Sequence, residues 1–166
     1  MEGTAPGGWL SGTEQAAWRQ LLTVQCRVRE RLERDLHDAV GIGLGDYDVL
    51  VHLSEAPASA LRMSELADRL LLSRSGLTRR IDGMVRRGWV NRRPCDDDGR
   101  GSLAELTTGG WDLLRQAAPV HVAGVRRYLI DPVSAGGRGA GASVNGAGAL
   151  DGLTAGLGRI QRALDG

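Results

Sequence analysis

The stretch from Leu72 to Val90, LSRSGLTRRIDGMVRRGWV, constrains this chain more than any other, because a helix start, a helix stop and the densest positive charge coincide in it. Ser73 is placed to accept from a free N–H of a first helical turn, and Gly88, after Arg86 and Arg87, is the residue type that ends helices. About four turns lie between them. Leu77, Ile81, Met84 and Val85 fall on one buried face and leave Arg74, Ser75, Thr78, Arg79 and Asp82 on others. From Arg69 to Arg93 there are eight arginines and one acid, a local charge of +7 in a chain whose total is +1, leaving −6 elsewhere. A basic face on a mildly acidic body marks a polyanion-binding surface, whereas evenly mixed charge serves solubility. All 21 basic residues are arginine, so position rather than residue type must carry each assignment.

The segments around this helix tell what it belongs to. Upstream, Ser64 is placed to cap a short helix, SELADRLL, with Leu66, Ala67 and Leu70 inward. A short helix, a tight turn and a helix with a polar, basic start form a helix-turn-helix, whose second helix enters a DNA major groove. Downstream the period becomes extended: Trp89 to Arg93 and Ser102 to Leu106 read as strands around the turn PCDDDGRG, a β-hairpin projecting as a wing.

Farther out, Ser11 and Glu14 form a capping box at the head of a helix of about seven turns, striped by Trp18, Leu21, Leu22, Gln25, Val28, Leu32 and Leu36. Gly41, Gly43 and Gly45 interrupt it, and Asp46 is placed to cap a second helix carrying Tyr47, Val49, Leu50, Val51 and Leu53, ended by Pro57. Thr107 or Thr108 opens a fifth helix through Trp111, Leu114, Ala118, Val122, Val125 and Leu129, with a kink expected at Pro119. Asp131 to Gly148 reads as a flexible Gly/Ala/Ser loop, and Leu150, Leu153, Leu157, Ile160 and Leu164 as a last apolar seam. The expected fold class is mainly α with a small β-wing. Its divisions are a loose N-terminus at 1–10, an N-terminal dimerisation helix at 11–40, a winged helix-turn-helix lobe at 45–106, and a connector helix, Gly-rich loop and C-terminal dimerisation helix at 107–166.

Several function classes find no support. No Gly-x-Ser-x-Gly or phosphate-binding glycine loop occurs, so no enzyme is expected and no catalytic residue is assigned. His37, His52 and His121 fall at no ligand spacing and there is no Cys-x-x-Cys, so neither a metal nor a cofactor is expected. No apolar run approaches the ~20 residues of a membrane span, and the opening MEGTAPGG lacks signal-peptide character, so the expectation is a cytoplasmic chain without membrane contact. Cys26 and Cys95 are too few for a disulfide framework and read as free thiols.

The strings SELADRLLLSRSGLTRRIDGMVRRGWVNRRP and DDDGRGSLAELTTGGWDLL, in this order between long helices, resemble the MarR family of bacterial winged helix-turn-helix transcriptional regulators. The resemblance implies a homodimer whose terminal helices interlock and whose two lobes read a pseudo-palindromic operator in double-stranded DNA, as a repressor. It maps the major-groove contacts to Arg74, Ser75, Gly76, Thr78 and Arg79, and a minor-groove arginine to Arg100, oriented by Asp98. The dimer surface maps to Trp18, Leu21, Leu22, Leu153, Leu157, Ile160 and Leu164. It further implies release by a small aromatic or phenolic effector, for which Trp18, His37, Tyr47, His52 and Trp111 are the candidate wall. Arginine reading guanine, and arginine drawn into a narrow minor groove, agree with these roles.

Two alternatives stand beside this reading. The first is a winged helix that binds protein instead of DNA, but such a module has no need for Arg74, Arg79 and Arg100 together. A thiol-based redox sensor would use Cys26, near Arg27 and Arg29, or Cys95, expected to be exposed on the wing but beside Asp96 to Asp98.

Overall fold

The computed structural model describes residues 8–95, 101–135 and 146–166. Over these the chain is mainly helical with one small antiparallel sheet. The helices are α1 (Gly12–Val40), α2 (Leu44–Ser54), α3 (Met63–Arg69), α4 (Arg74–Arg86), α5 (Thr108–Val125), α6 (Asp131–Ala135) and α7 (Gly146–Leu164). The strands β1 (Ala60–Arg62), β2 (Val90–Pro94) and β3 (Ser102–Leu106) lie in the order β1-β3-β2. The chain divides into two compact units, one of residues 1–31 and 123–166, the other of 32–122.

Unit 32–122 holds all the buried apolar side chains among the described residues. Leu36, Leu50, Leu53, Leu66, Leu77, Ile81, Met84 and Val90 are all but inaccessible to water. The helix-turn-helix is α3 and α4. Ser73 caps α4 as its sequence indicates, its Oγ accepting from Gly76 N at 3.1 Å. At the other end Gly88 takes φ +74°, Gly88 N donates to Val85 O and Trp89 N to Met84 O, the paired bonds of a Schellman stop. The same pair ends α3, with Leu71 N bonded to Asp68 O and Leu72 N to Ala67 O. There the left-handed position is filled by a leucine, at φ 53° and 92% exposed.

Three features correct the sequence expectations. Asp46 does not cap α2. That helix starts at Leu44, whose N–H donates to the Glu33 carboxylate of α1 at 2.6 Å, so the cap comes from eleven residues upstream. Ser64 does not cap α3, which begins one residue earlier with no side-chain cap. The link around Leu61 and Arg62 is strand β1, paired to β3 with Leu61 opposite Ala104. Its three residues carry too little pattern to be seen locally, and β3 supplies the ladder that makes them a strand.

The wing strands pair from Val90 with Leu106 to Pro94 with Ser102, and Cys95 N donates to Gly101 O at the base of the turn. Cys95 is buried, against the expectation of an exposed wing thiol, while Cys26 on α1 is exposed; both are free. After β3, Thr107 caps α5 through Gly110 N at 3.0 Å, and its hydroxyl donates to Gly88 O at 2.7 Å. A β-carbon on Gly110 would collide with Trp89 O and lie 2.7 Å from Leu106 Cδ1.

In the unit of residues 1–31 and 123–166, the capping box at the head of α1 is formed: Ser11 N donates to Glu14 Oε2 at 2.8 Å, and Glu14 N to Ser11 Oγ at 3.3 Å. These two bonds hold the Glu14 carboxyl below its ordinary pKa. Helix α5 runs through Pro119 to a π-helical turn at Arg126–Ile130 and then α6. The expected flexible loop from Asp131 to Gly148 is thus helical at Asp131–Ala135 and again from Gly146, and residues 136–145 lie outside the described ones. Packing of α6 against α7 supplies what the local composition lacks. No helix among the described residues is long and apolar enough to cross a membrane.

These two glycine-type positions predict opposite outcomes. Gly110→Ala should lower unfolding stability by about 1–3 kcal/mol, since the obstructing atom is backbone. Leu71→Gly should raise it by up to about 1 kcal/mol by relieving the left-handed leucine. Urea unfolding of both variants checks the signs.

Candidate nucleic-acid interface

The exposed side of α4 begins with Arg74 and Ser75 and continues to Arg79, with Gly76 and Thr78 half-buried between them. Ser75 Oγ lies 3.3 Å from Ser73 Oγ, and Thr78 Oγ1 donates to Arg74 O at 2.9 Å. The five residues expected to read the major groove therefore share one helix start, which the buried Leu77, Ile81 and Met84 hold against the core, while Val85, expected on that buried face, is exposed. Asp98 and Arg100, expected in the minor groove, lie outside the described residues.

The +7 of this region is not all available to a partner. Arg69 pairs with Glu65 at 2.7 Å, and Arg80 and Arg87 both grip Asp46, at 2.8 and 3.3 Å. Arg92 approaches Asp82, and Arg93 approaches Glu105, each at 3.5 Å. Arg87 also lies over the Trp89 ring, 4.9 Å from its centroid. Among the described residues, Arg74, Arg79 and Arg86 are the arginines of this stretch without an acidic partner. All three are exposed, and two of them were assigned to base contact from sequence. Asp46 is the acid that makes the sorting. It leaves its expected place as a cap to hold Arg80, whose guanidinium lies across Gly45 where a β-carbon would fall within 2.5–2.7 Å of it.

Two hollows flank α4. One, of about 500 Å³, is lined by Asp46, Leu72, Gly76, Arg79, Arg80 and Arg87 among others. The other, of about 380 Å³, lies between β1, α4 and the wing, and its wall includes Arg62, Ser64, Arg74, Thr78, Arg92 and Ser102. Arg62, Ser64, Arg92 and Ser102 were not recognised as site residues from sequence. Arg62 was hidden because β1 reads as a link, and the two wing residues because register, not spacing, sets which strand positions face α4.

The residues expected to wall an effector cleft have varied surroundings. Tyr47 is buried and stacks on His121, with ring centroids 4.4 Å apart and an interplanar angle of 28°. His52 and Trp111 are half-buried, His37 is exposed, and Trp18, in the other unit, is 53% exposed. An apolar hollow of about 200 Å³ in that unit is lined by Val24, Arg27, Val28, Arg31 and Tyr128, none of the expected set. His121, not placed at the site from sequence, is the ring that engages Tyr47. Burial pushes His121 below the ordinary histidine pKa, partly opposed by Asp48. Burial, then the negative charges of Asp48 and Glu55, pushes Tyr47 above the ordinary tyrosine value.

Three comparisons bear on this arrangement. A sequence profile described as the MarR family matches residues 40–101, from the end of α1 to the wing turn. The crystal structure of AbsC, a MarR family transcriptional regulator from Streptomyces coelicolor, is 36% identical, covers 96% of this chain and 99% of that one, and superposes with a TM-score of 0.82. Sco3205 from the same organism, a MarR family regulator solved in complex with DNA, is 32% identical over 96% of this chain and 90% of its own, with a TM-score of 0.79. Among curated sequences, the transcriptional repressor YetL of Bacillus subtilis is 36% identical over 81 residues, 49% of this chain. The match spans about half the length of that relative, 48%.

The Tyr47–His121 stack yields a pH prediction. Because the folded state binds the His121 proton less readily than the unfolded chain, its contribution is complete above the unfolded pKa of about 6.5 and is lost as pH falls through the lowered folded value. Urea unfolding should show wild type losing more stability on acidification through this window than His121→Gln. Equal losses would remove His121 from the pH dependence.

Proposed function

Since this chain belongs to the MarR family of transcriptional regulators, we propose that it binds duplex DNA sequence-specifically as a homodimer on a pseudo-palindromic operator and represses transcription there. The observation that carries the reading is the sorting of arginines on α4. Arg80 and Arg87 share the Asp46 carboxylate, while Arg74 and Arg79 are left exposed beside Ser75, Gly76 and Thr78. Arginine forks can read guanine O6 and N7 in the major groove, and small or hydroxylic neighbours let the helix approach closely. Arg100, with Asp98 to orient it, is assigned to the minor groove by the resemblance to the family. Repression follows the described activity of the relative YetL.

The homodimer rests on apolar surface that the single chain leaves in water. Trp18, Leu21 and Leu22 on α1 and Leu157, Ile160 and Leu164 on α7 are each 44–80% exposed, and Leu153 is half-buried. A second copy of these helices would cover them, placing two recognition helices on half-sites about 10 base pairs apart or a multiple of that.

Selection from a random duplex pool followed by affinity measurement tests the first claim. Arg79→Ala should relax base preference within the half-site at a cost of about 1–3 kcal/mol, while Arg80→Ala should reduce folding stability and leave base preference unchanged. Selected sites lacking two-fold symmetry would contradict the dimeric reading. Sedimentation tests the interface: Leu157→Asp with Ile160→Asp should convert a dimer to a monomer at micromolar concentration and weaken operator binding by tenfold or more, on the order of the effective-concentration gain lost.

A further inference from the structure

We infer that the hollow between β1, α4 and the wing seats one phosphate of the DNA backbone, and that Asp82 latches Arg92 in that seat until the phosphate displaces it. The inference rests on the DNA-binding reading above. Arg62, Arg74 and Arg92, together with the hydroxyl residues Ser64, Thr78 and Ser102, line a hollow of about 380 Å³, with no carboxylate among its described lining residues. They come from segments far apart in sequence and are gathered by the strand order. Arg62 ends β1 opposite Leu103 of β3, and Arg92 in β2 lies opposite Ala104 of the same strand. Arginines and hydroxyls converging on one hollow suit a tetrahedral anion, and phosphate contacts of this kind fix a protein's register on the duplex.

The latch is legible in the distances. Arg92 Nε donates to Ser102 Oγ at 3.2 Å, which orients the guanidinium, while its Nη1 stands 3.5 Å from Asp82 Oδ1. A strong charge-assisted bond is about 2.7–2.9 Å, and Arg80 reaches Asp46 at 2.8 Å in this same lobe. The Arg92–Asp82 pair is also open to water, its side chains 41% and 46% exposed. Such a pair is held loosely, so a backbone phosphate that meets Arg62 and Arg92 together displaces the Asp82 carboxylate from Arg92. Asp82 is the acid within α4 itself, so it also sets a negative charge where the duplex would come.

The test uses the full chain and a random-sequence duplex, because a backbone seat acts without sequence. Affinity is measured by fluorescence anisotropy across a range of salt concentrations for wild type, Arg92→Ala, Arg62→Ala, Arg92→Lys and Asp82→Asn, with Arg115→Ala on α5 as control. Urea midpoints establish that each variant is folded. Arg92→Ala and Arg62→Ala should each lower the steepness of log affinity against log salt by about 0.9, the loss of one phosphate contact, while Arg92→Lys and the control retain it. Asp82→Asn should tighten binding about two- to fivefold, and that gain should disappear when Arg92 is also alanine. Unchanged slopes in both alanine variants, or an Asp82→Asn gain that persists without Arg92, would overturn the seat and the latch. Failure of wild type to bind any duplex at low salt would instead overturn the DNA-binding reading on which they stand.

Discussion

The DNA-facing lobe depends on a joint where two chain reversals lock into each other. At Gly88 and Trp89, α4 stops and β2 begins; at Thr107 to Gly110, β3 stops and α5 begins. Thr107 N donates to Trp89 O, the Thr107 hydroxyl donates to Gly88 O and accepts from Gly110 N, and Gly110 is bare so that its helix can lie against the Trp89 carbonyl. One threonine thus ties the end of the recognition helix, both wing strands and the first turn of α5. Only the Gly110 end of this set is buried, so the bond to Gly110 N is the one that would be costly to leave unmade, while the bond to the exposed Gly88 carbonyl chiefly fixes geometry. The aim of α4 relative to the wing follows from this joint.

What the joint positions, Asp46 sorts. Eight arginines in 25 residues are a mixed asset, since like charges repel and long cationic side chains adopt many rotamers. The fold resolves this by committing Arg80 and Arg87 to Asp46, Arg69 to Glu65, Arg93 to Glu105 and, loosely, Arg92 to Asp82. These pairs add little stability where they are exposed, but they decide which guanidiniums point outward. Arg74 and Arg79 are left to act, on the turns of α4 nearest its capped start.

Much of this was legible in the chain. Ser73, Gly88, the Ser11–Glu14 box and Thr107 are local devices, and a local device can be read without tertiary contacts. The wing strands were found by the change of period at Gly88. What was not legible depends on distant partners. The cap of α2 is Glu33 of the preceding helix, β1 exists because β3 pairs with it, and His121 meets Tyr47 across 74 positions. Cys95 was misjudged because residence on a hairpin says nothing of which face is covered. The start of α6 was misjudged because glycine and alanine around it hid a helix that packing against α7 supports. For the site, the exposed basic and hydroxylic start of α4 was legible from helical periodicity, and the proposal that it reads the major groove came from the family resemblance. The second basic wall, with Arg62 and Arg92, required the sheet register.

The central claim is that the fold commits some arginines and releases others for DNA. Guanidinium Nε–H signals of the labelled protein, followed by NMR as duplex is added, report each arginine separately. The account predicts that Arg74 and Arg79 shift and become protected, while Arg80 and Arg69 keep the signals of their ion pairs with Asp46 and Glu65. Displacement of Arg80 from Asp46 with Arg74 and Arg79 left unchanged would contradict it.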